Sequence, residues 1–442
     1  MASAKRRPAA AAARPAGPDP GEPDLIVVGA GAAGLMAAAS AGELGLRCVV
    51  LERRHRPGLK LLLCGNNRCN VTREASAEGL LSAYGEPVAP FLAEAVTAFP
   101  PSALRAWFQK NGLRTTVHSD GRVFPASEKA DDVVHCFRDA LRGNEVPLVL
   151  NCPVLGVERE PQGYRVRSTH FSLVAPRVLL ATGGVSYPKT GSVGDGQRFA
   201  RSLGHRVTPY RPGLAGVELE PRWLGHRREL SLPDAEVAIW SQGREVARTR
   251  GEILLDRTCA RGPAMVNASR VIARCQLRDV EFVIDLFPKE GVSQLAGRLL
   301  KGARGKRDVT SVLRGVLPME VARELVRDLP VAAGEEEVAQ GLKNWRLRVR
   351  GVRPLKEAMV TVGGVQLADI DPATMESRRS PGLYFAGEVM DVDGPTGGYN
   401  LHAAFATARL VVSLIARGLG REARPSRAAA RAQPPRRGRG RR

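Results

Sequence analysis

The sequence predicts an α/β protein. A parallel-sheet domain is formed by two separated stretches, residues 24–193 and 353–419, with a β-rich and helical insertion at 194–352 between them. Three observations predict it. A buried strand near the start runs into a glycine-rich turn, a helix and a second strand. A second glycine turn opens a long helix near the end, and between Gly194 and Val352 the pattern changes to hairpin strands followed by amphipathic helices.

The first of these lies in Asp24 to Arg54, DLIVVGAGAAGLMAAASAGELGLRCVVLERR. The apolar run Leu25 to Val28 meets Gly29, Gly31 and Gly34 in G-x-G-x-x-G spacing; an alanine-rich helix pattern, a second apolar run and Glu52 follow. Each position has a physical task. Gly29 permits the sharp turn, Gly31 lets backbone approach a pyrophosphate, and Gly34 lets helix and strand pack closely. The helix start offers unpaired N–H groups to phosphate oxygens. Glu52, 18 residues past Gly34, stands where a carboxylate accepts hydrogen bonds from a ribose diol. The unit reads as a Rossmann-like dinucleotide site.

Composition bounds the other possibilities. With 442 residues, 43% of them hydrophobic, the chain can bury a large core. No uninterrupted apolar run approaches the roughly 18–20 residues that span a bilayer, and the basic N-terminal segment lacks the apolar centre of a signal peptide. A cytoplasmic location with no membrane partner is expected. The seven cysteines are odd in number and contain no C-x-x-C pair, which argues for reduced thiols and against a disulfide framework or a metal site. The formal net charge of +21 is unevenly placed: Ala416 to Arg442 holds ten arginines against one glutamate, and the body is basic as well. Segments 1–23 and 420–442 are expected to be disordered basic tails, having little apolar surface to bury. The arginine-rich arm suits polyanion binding by counterion release; biased composition is the plain alternative.

Along the chain, HRPGLKLLLCGNNRCNVTR combines Gly58, Lys60, an apolar triplet and the polar loop Cys64 to Asn70. It reads as a loop folded over a cofactor, small residues allowing close approach and Arg68 and Asn70 supplying donors. Pro100 to Gly112 has helical periodicity, and HSDGRVFPASEKADDVVHCFRDAL reads as turn, strand and a helix capped by Ser127, with His118 and Asp120 solvated. The buried strand within Arg177 to Gly184 ends in Thr182 and Gly183, small residues suited to the side of a dinucleotide. In the insertion, AEVAIWSQGREVARTRGEILLD is a hairpin turning at Ser241 to Arg244, VEFVIDLFP is a strand, and VSQLAGRLLKGA, SVLRGVL and MEVARELVRDL are helices. Beyond Gly351, the strand LYFAG ends at Gly387, Glu388 and Asp391, and the turn Thr396 to Tyr399 opens a helix whose N-terminus suits the anionic edge of a reduced flavin. Two nucleotide-facing glycine turns at opposite ends of the chain suit a long, two-ended cofactor. FAD fits this better than NAD alone.

Together the blocks GAGAAGLMAA, GLKLLLCGNNRCNVT, DGRVFPASEKADDVV, ATGGVSYPKTGSVGDG, GEILLDRTCARGPA, VTVGGVQL and GLYFAGEVMDVDGPTGGYNL resemble the BaiN/YhiN-type flavoproteins, also called aminoacetone-oxidase-type FAD-binding oxidoreductases. The resemblance runs from about Asp24 to Leu419. It implies a glutathione-reductase-like FAD domain with an inserted domain. It also implies FAD contacts at Gly29, Gly31, Gly34, Glu52, Lys60 and Gly183, and at Gly387, Glu388, Asp391, Gly398, Tyr399 and Asn400. Activities ascribed to the family are oxidation of a small aminoketone, reduction of a steroid enone, and reduction of a uridine in 23S ribosomal RNA to dihydrouridine. The chain departs from the family pattern at Asn66 and Asn67, in a loop usually S-G-G-G-R-C-N. It departs again at Asp256, Arg257 and Arg261, where the T-H-x-G-x-S-G-P-A block loses its histidine and serine, and at His402, where glutamine is usual. These changes fall on the substrate face.

The first functional reading is therefore an FAD-dependent oxidoreductase that draws electrons from transiently bound NAD(P)H and saturates an activated C=C bond. Ribosomal RNA is the favoured substrate and partner because body and tail are basic. Such a reduction needs hydride from the flavin and a proton from an acid. Cys69, beside Arg68, is the candidate acid, or a small packing residue under the ring. Tyr399 is a second candidate donor, or a stacking or capping residue. His402 is an active-site base or a hydrogen-bonded core histidine. Two other readings stand beside the first: a small-molecule flavin oxidoreductase with an unrelated tail, and a catalytically silent flavin-bearing RNA-binding protein. No second G-x-G-x-x-G unit is dedicated to NAD(P)H, and the oligomeric state is not legible.

Overall fold

Unbroken apolar strands want burial on both faces, and Leu25–Val28, none of its residues more than 4% exposed, is the centre of a five-stranded parallel sheet in the computed structural model. The structure describes residues 22–220, 230–256, 259–303, 313, 316–327, 329–330 and 333–421. The basic tails, apart from a few residues next to the fold, lie outside the described residues, as do Arg257 and most of the expected helix SVLRGVL. Across the sheet the strands run Leu383–Phe385, Val178–Leu180, Leu25–Val28, Cys48–Leu51 and Leu148–Val149, every neighbouring pair parallel. Strands from both ends of the chain thus lie in one sheet, with Leu383–Phe385 directly beside Val178–Leu180.

Helix Ala32–Glu43 is buried along nearly its whole length, and its alanines let the final helix, Tyr399–Gly418, pack closely against it. That final helix is apolar and long enough by length and composition to cross a bilayer, although Asn400, His402 and Arg409 interrupt its apolar run. In the fold 67% of its apolar window is buried, so a core helix, hydrophobic nearly all round, accounts for its composition. The helix following Ser127 begins at Ala130 with Lys129 in the cap position, and no side chain caps it. Ser127 instead accepts a bond from Lys129 N at 3.4 Å. Glu128 is left-handed at φ 54°, which turns the chain between serine and helix and takes the hydroxyl out of capping register. Val154–Glu160, Gly163–Ser168 and Ser172–Ala175 form an antiparallel meander beside the sheet.

The insertion closes a six-stranded barrel from Val217–Glu220, Ala260–Arg261, Arg244–Leu255, Leu230–Ser241, Val280–Asp285 and Trp345–Val352. Alternation decides which side faces in. In Trp345–Val352, Trp345 and Leu347 are buried while Arg346 and Arg348 point out, and Val237, Ile239, Ile253, Phe282 and Ile284 complete the interior. The hairpin turns at Gln242 and Gly243, both left-handed (φ 50° and 74°), the geometry that matches the twist of the two long strands. Helix Pro263–Cys275 lies between barrel and sheet domain, and the short strands Arg211–Gly213 and Val360–Val362 pair antiparallel where the chain enters and leaves the barrel.

Candidate active site

A cleft of about 810 Å³ runs along the carboxyl ends of the parallel strands, the position where open α/β sheets bind ligands, and is roofed by residues of the insertion, Leu254 of the barrel and Gly262, Pro263 and Val266 at the start of helix Pro263–Cys275. One end is built for an anionic diphosphate. Gly29 is left-handed at φ 99°, and a Cβ there would lie 2.7 Å from Ala181 O; a Cβ on Gly34 would lie 1.8 Å from Gly29 O. Gly31 is different: its backbone is extended and a Cβ would meet nothing within 4 Å. That open space fronts the start of Ala32–Glu43, whose first turn carries no acidic residue to compete with a phosphate. Glu52 is buried and accepts bonds from Ala30 N at 2.7 Å and Arg54 N at 2.8 Å. Burial pushes its carboxyl pKa up, while the two backbone donors pull the other way. Thr182 lines the same cleft with its hydroxyl oxygen buried and unpartnered, and Gly183, left-handed at φ 72°, has its carbonyl held by Gln197 Nε2 at 3.0 Å. The Gly31 cradle, the anchored Glu52 carboxylate and the orphaned Thr182 hydroxyl fit the diphosphate and ribose of a dinucleotide.

The middle of the cleft is tied together by one polar network. Lys60 Nζ lies 2.7 Å from Glu388 Oε2 and 2.6 Å from Ser186 Oγ. Glu388 Oε1 accepts from Thr361 N at 2.6 Å and from Ser186 Oγ at 3.2 Å, and Thr361 Oγ1 accepts from Val185 N at 2.8 Å. Residues far apart in sequence are thereby fixed at one spot. Beyond it, a Cβ on Gly387 would sit 3.2 Å from the Cβ atoms of Ala33 and Ala404, in the seam between first and last helices. The glycine turn before the last helix is held from below. With its amide oriented to satisfy both atoms, Asn70 accepts from Gly398 N at 3.0 Å and donates to Thr72 O at 2.7 Å. Asn400 accepts from Gly394 N at 2.8 Å and donates to Gly394 O at 2.9 Å.

A parallel sheet assembled from both ends of the chain, with a diphosphate cradle at its carboxyl edge and a barrel roofing the cleft, is matched over residues 23–413 by the family described as HI0933-like protein Rossmann domain. The chain belongs to this family of FAD-dependent oxidoreductases. Within the HI0933-like family, ribosomal RNA dihydrouridine synthase of Escherichia coli K12 is 28% identical over 395 residues, covering 87% of this chain and 96% of that one. The 3-dehydro-bile acid delta(4,6)-reductase of Clostridium scindens is 28% identical over 400 residues, 87% of this chain and 97% of the relative. Among solved structures, 3-ketosteroid delta1-dehydrogenase from Sterolibacterium denitrificans shares the fold at TM-score 0.50 and 15% identity, over 90% of this chain and 100% of that one.

Against this HI0933-like frame, the residues singled out in the sequence divide. Gly29, Gly31, Glu52, Lys60, Arg68, Asn70, Thr182, Gly183, Gly387, Glu388, Gly398 and Asn400 line the cleft, and Gly34 lies behind it as packing. Arg68 is at the rim, 3.6 Å from Glu128 and stacked 5.0 Å from the Phe124 ring. Asp391 does not line the cleft. It pairs with Arg274 at 2.7 Å and accepts from Gly363 N at 3.1 Å, a structural bridge to the barrel-side helix.

The three candidate catalytic residues, the possible donors Cys69 and Tyr399 and the possible base His402, also lie outside the cleft lining. Cys69 is fully buried in the sheet-domain core at φ 62°, and burial drives its thiol pKa up rather than Arg68 drawing it down. The packing reading accounts for it. The Tyr399 ring stands edge-on to Tyr84 at 5.8 Å, and its carbonyl accepts the Tyr84 hydroxyl at 2.8 Å, so it closes the turn from behind. His402 is fully buried with Nδ1 2.9 Å from Thr72 Oγ1, and burial lowers its pKa to about 4. It is a core histidine. Among the departures, Asn66 and Arg261 line the cleft, and Arg261 lies 2.8 Å from Asp256. Sequence reasoning passed over Ser186, Tyr187 and Thr361. The signal was present in ATGGVSYPKTGSVGDG, where Ser186 and Tyr187 follow a strand end and precede Pro188.

The buried imidazole gives a pH prediction. Its pKa lies below the ordinary 6.5, so beneath that pH the unfolded chain binds a proton that the native state refuses. Stability therefore falls as pH drops from about 6.5 towards 4, by up to about 3 kcal/mol. Urea unfolding of His402→Gln across that window is expected to show a flatter pH dependence than the parent; an unchanged slope would remove His402 as its source.

Proposed function

We propose that this protein uses NAD(P)H and FAD to reduce an activated C=C bond, with uridine in ribosomal RNA as substrate. When bound, FAD supplies hydride-transfer chemistry. The chain's own residues do the remainder: Gly31 and the helix start receive the diphosphate, Glu52 the ribose, and the Lys60–Glu388–Ser186 network holds the cleft's middle rigid. The observation that carries the reading is the two-ended cleft itself, a nucleotide cradle at one end opening beneath a separate barrel at the other. Relatives named for making dihydrouridine and for reducing an unsaturated bile acid support a saturating chemistry.

RNA is favoured over a small molecule by charge, +21 in total, with nine arginines between Gly420 and Arg442. That charge does not sit bare in the cleft: Arg53, Arg56, Arg68, Arg122 and Arg261 line it, each facing a carboxylate. One observation favours a small conjugated ketone as the second reading. Leu63 and Met359, 46% and 43% exposed, give the cleft an apolar lip.

Nucleoside mass spectrometry of ribosomal RNA from cells with and without the gene tests the substrate. Loss of a dihydrouridine on deletion, restored by complementation, is expected; identical spectra would end the RNA reading. Removing residues 420–442 is expected to weaken RNA retention by about 10-fold or more near 0.1 M salt and to flatten its salt dependence. Equal retention at every salt concentration would make the tail compositional only.

A further inference from the structure

With Cys69, Tyr399 and His402 placed outside the cleft, a saturating reduction still needs a proton donor that faces the substrate. We propose that Tyr187 is that donor, its hydroxyl delivering the proton that completes reduction of the C=C bond; this rests on the reading of function above.

Four observations converge on it. Tyr187 lines the cleft immediately after Ser186, the residue bound by Lys60 and Glu388. Its backbone is left-handed, φ 51° and ψ 59°, a costly conformation for an aromatic residue that persists where the surroundings hold it. They do hold it: Thr190 donates to the Tyr187 carbonyl twice, from N and Oγ1, both at 2.8 Å. The Tyr84 and Tyr164 hydroxyls are bonded to carbonyls at 2.8 and 2.9 Å, whereas the Tyr187 hydroxyl has no hydrogen-bond partner among the described residues. It is a donor on a firmly held backbone, with nothing among the described residues to donate to.

The setting suits the task. Half-burial raises the phenol's pKa, with a smaller contribution from nearby Cys64, so the group carries its proton throughout the neutral range. Leu63 and Met359 line the same cleft as Tyr187, and the Met359 carbonyl accepts from the neighbouring Ser186 Oγ at 3.4 Å, so apolar surface for a planar unsaturated ring is present in that cleft. When bound, the NAD(P)H-reduced flavin would supply the hydride for one carbon of the C=C bond. The neighbouring carbon takes H⁺ from Tyr187, breaking its O–H bond, and solvent returns a proton to the phenolate.

The test uses the FAD-loaded full chain and two variants, Tyr187→Phe and Tyr187→Gly, the second of which also relieves the left-handed backbone. Both are expected to bind FAD and to be reduced by NAD(P)H within about twofold of the parent, while reoxidation by the unsaturated acceptor falls by 100-fold or more. A static readout accompanies this. Alkaline titration of the parent is expected to perturb the visible flavin band as Tyr187 ionises, and Tyr187→Phe to lack that transition. Parent-like reoxidation in Tyr187→Phe, or an unchanged alkaline transition, would overturn the assignment and leave the proposed function standing. If neither uridine-containing RNA nor a steroid enone reoxidises the parent, the functional reading fails and the donor role with it, even where the titration still places Tyr187 beside the flavin.

Discussion

Asp393→Ala is expected to destabilise the protein by about 3–5 kcal/mol, because it strands the largely buried Arg270 cation and removes one of the two carboxylates that hold Arg274. Asp393 is fully buried and meets Arg270 Nε at 2.5 Å on one oxygen and the Arg274 guanidinium on the other. Arg270 also donates to the carbonyls of Tyr84 at 3.0 Å and Asp393 at 2.9 Å, and burial already pulls its pKa down. Both arginines belong to helix Pro263–Cys275 on the barrel side, and Asp393 to the loop leading into the last helix, so the cluster fastens barrel to sheet domain. Removing the carboxylate leaves Arg270 without a counter-charge beside an Arg274 held only by Asp391, the costly way to break a buried pair. Asp393→Asn keeps the shape and one acceptor and should lose less. Denaturant unfolding of the three proteins, with FAD affinity measured alongside, checks this; a loss below about 1 kcal/mol for Asp393→Ala would mean that water reaches the cluster.

Gly34→Ala is expected to abolish detectable FAD binding and to lower stability by at least about 2 kcal/mol. Alanine would ordinarily help a helix by up to about 1 kcal/mol over glycine. Here the added Cβ would lie 1.8 Å from Gly29 O and 2.9 Å from Gly29 C, so steric overlap outweighs propensity and the turn must move. That turn is the diphosphate cradle. Gly31→Ala separates the two effects: its Cβ meets no protein atom within 4 Å, so the FAD-free protein should melt like the parent while FAD affinity falls. Thermal unfolding without FAD and fluorescence titration with it distinguish the pair. Parent-like FAD affinity in Gly31→Ala would show that the diphosphate does not pass over that glycine.

Much of the nucleotide frame was legible in the sequence because it depends on spacing. Gly29, Gly31 and Gly34 act through backbone geometry within one strand–turn–helix unit, and Glu52 follows at the end of the next strand. The hairpin at Gln242 and Gly243 was readable for the same reason: two residues of the local sequence set its turn. The donor chemistry was not. Cys69 stands next to Arg68 in sequence, yet at φ 62° its thiol turns into the core while the guanidinium stays at the rim. Glu388 and Asp391 follow the strand Leu383–Phe385 three residues apart, and Asp391 reaches Arg274 while Glu388 reaches Lys60.

By itself the sequence determined that this chain builds a glycine-turn nucleotide site from both its ends around an inserted β-rich and helical module, and that it carries a strongly basic composition. Those properties follow from apolar periodicity, glycine spacing and charge, which act locally or by sum. Only the tertiary structure decided that the insertion closes into a barrel, that Lys60, Ser186, Thr361 and Glu388 meet, and that Tyr187 rather than Cys69, Tyr399 or His402 faces the cleft. The reason is physical: which way a side chain points across a cleft depends on contacts hundreds of residues apart, and no local pattern encodes the sum of those contacts.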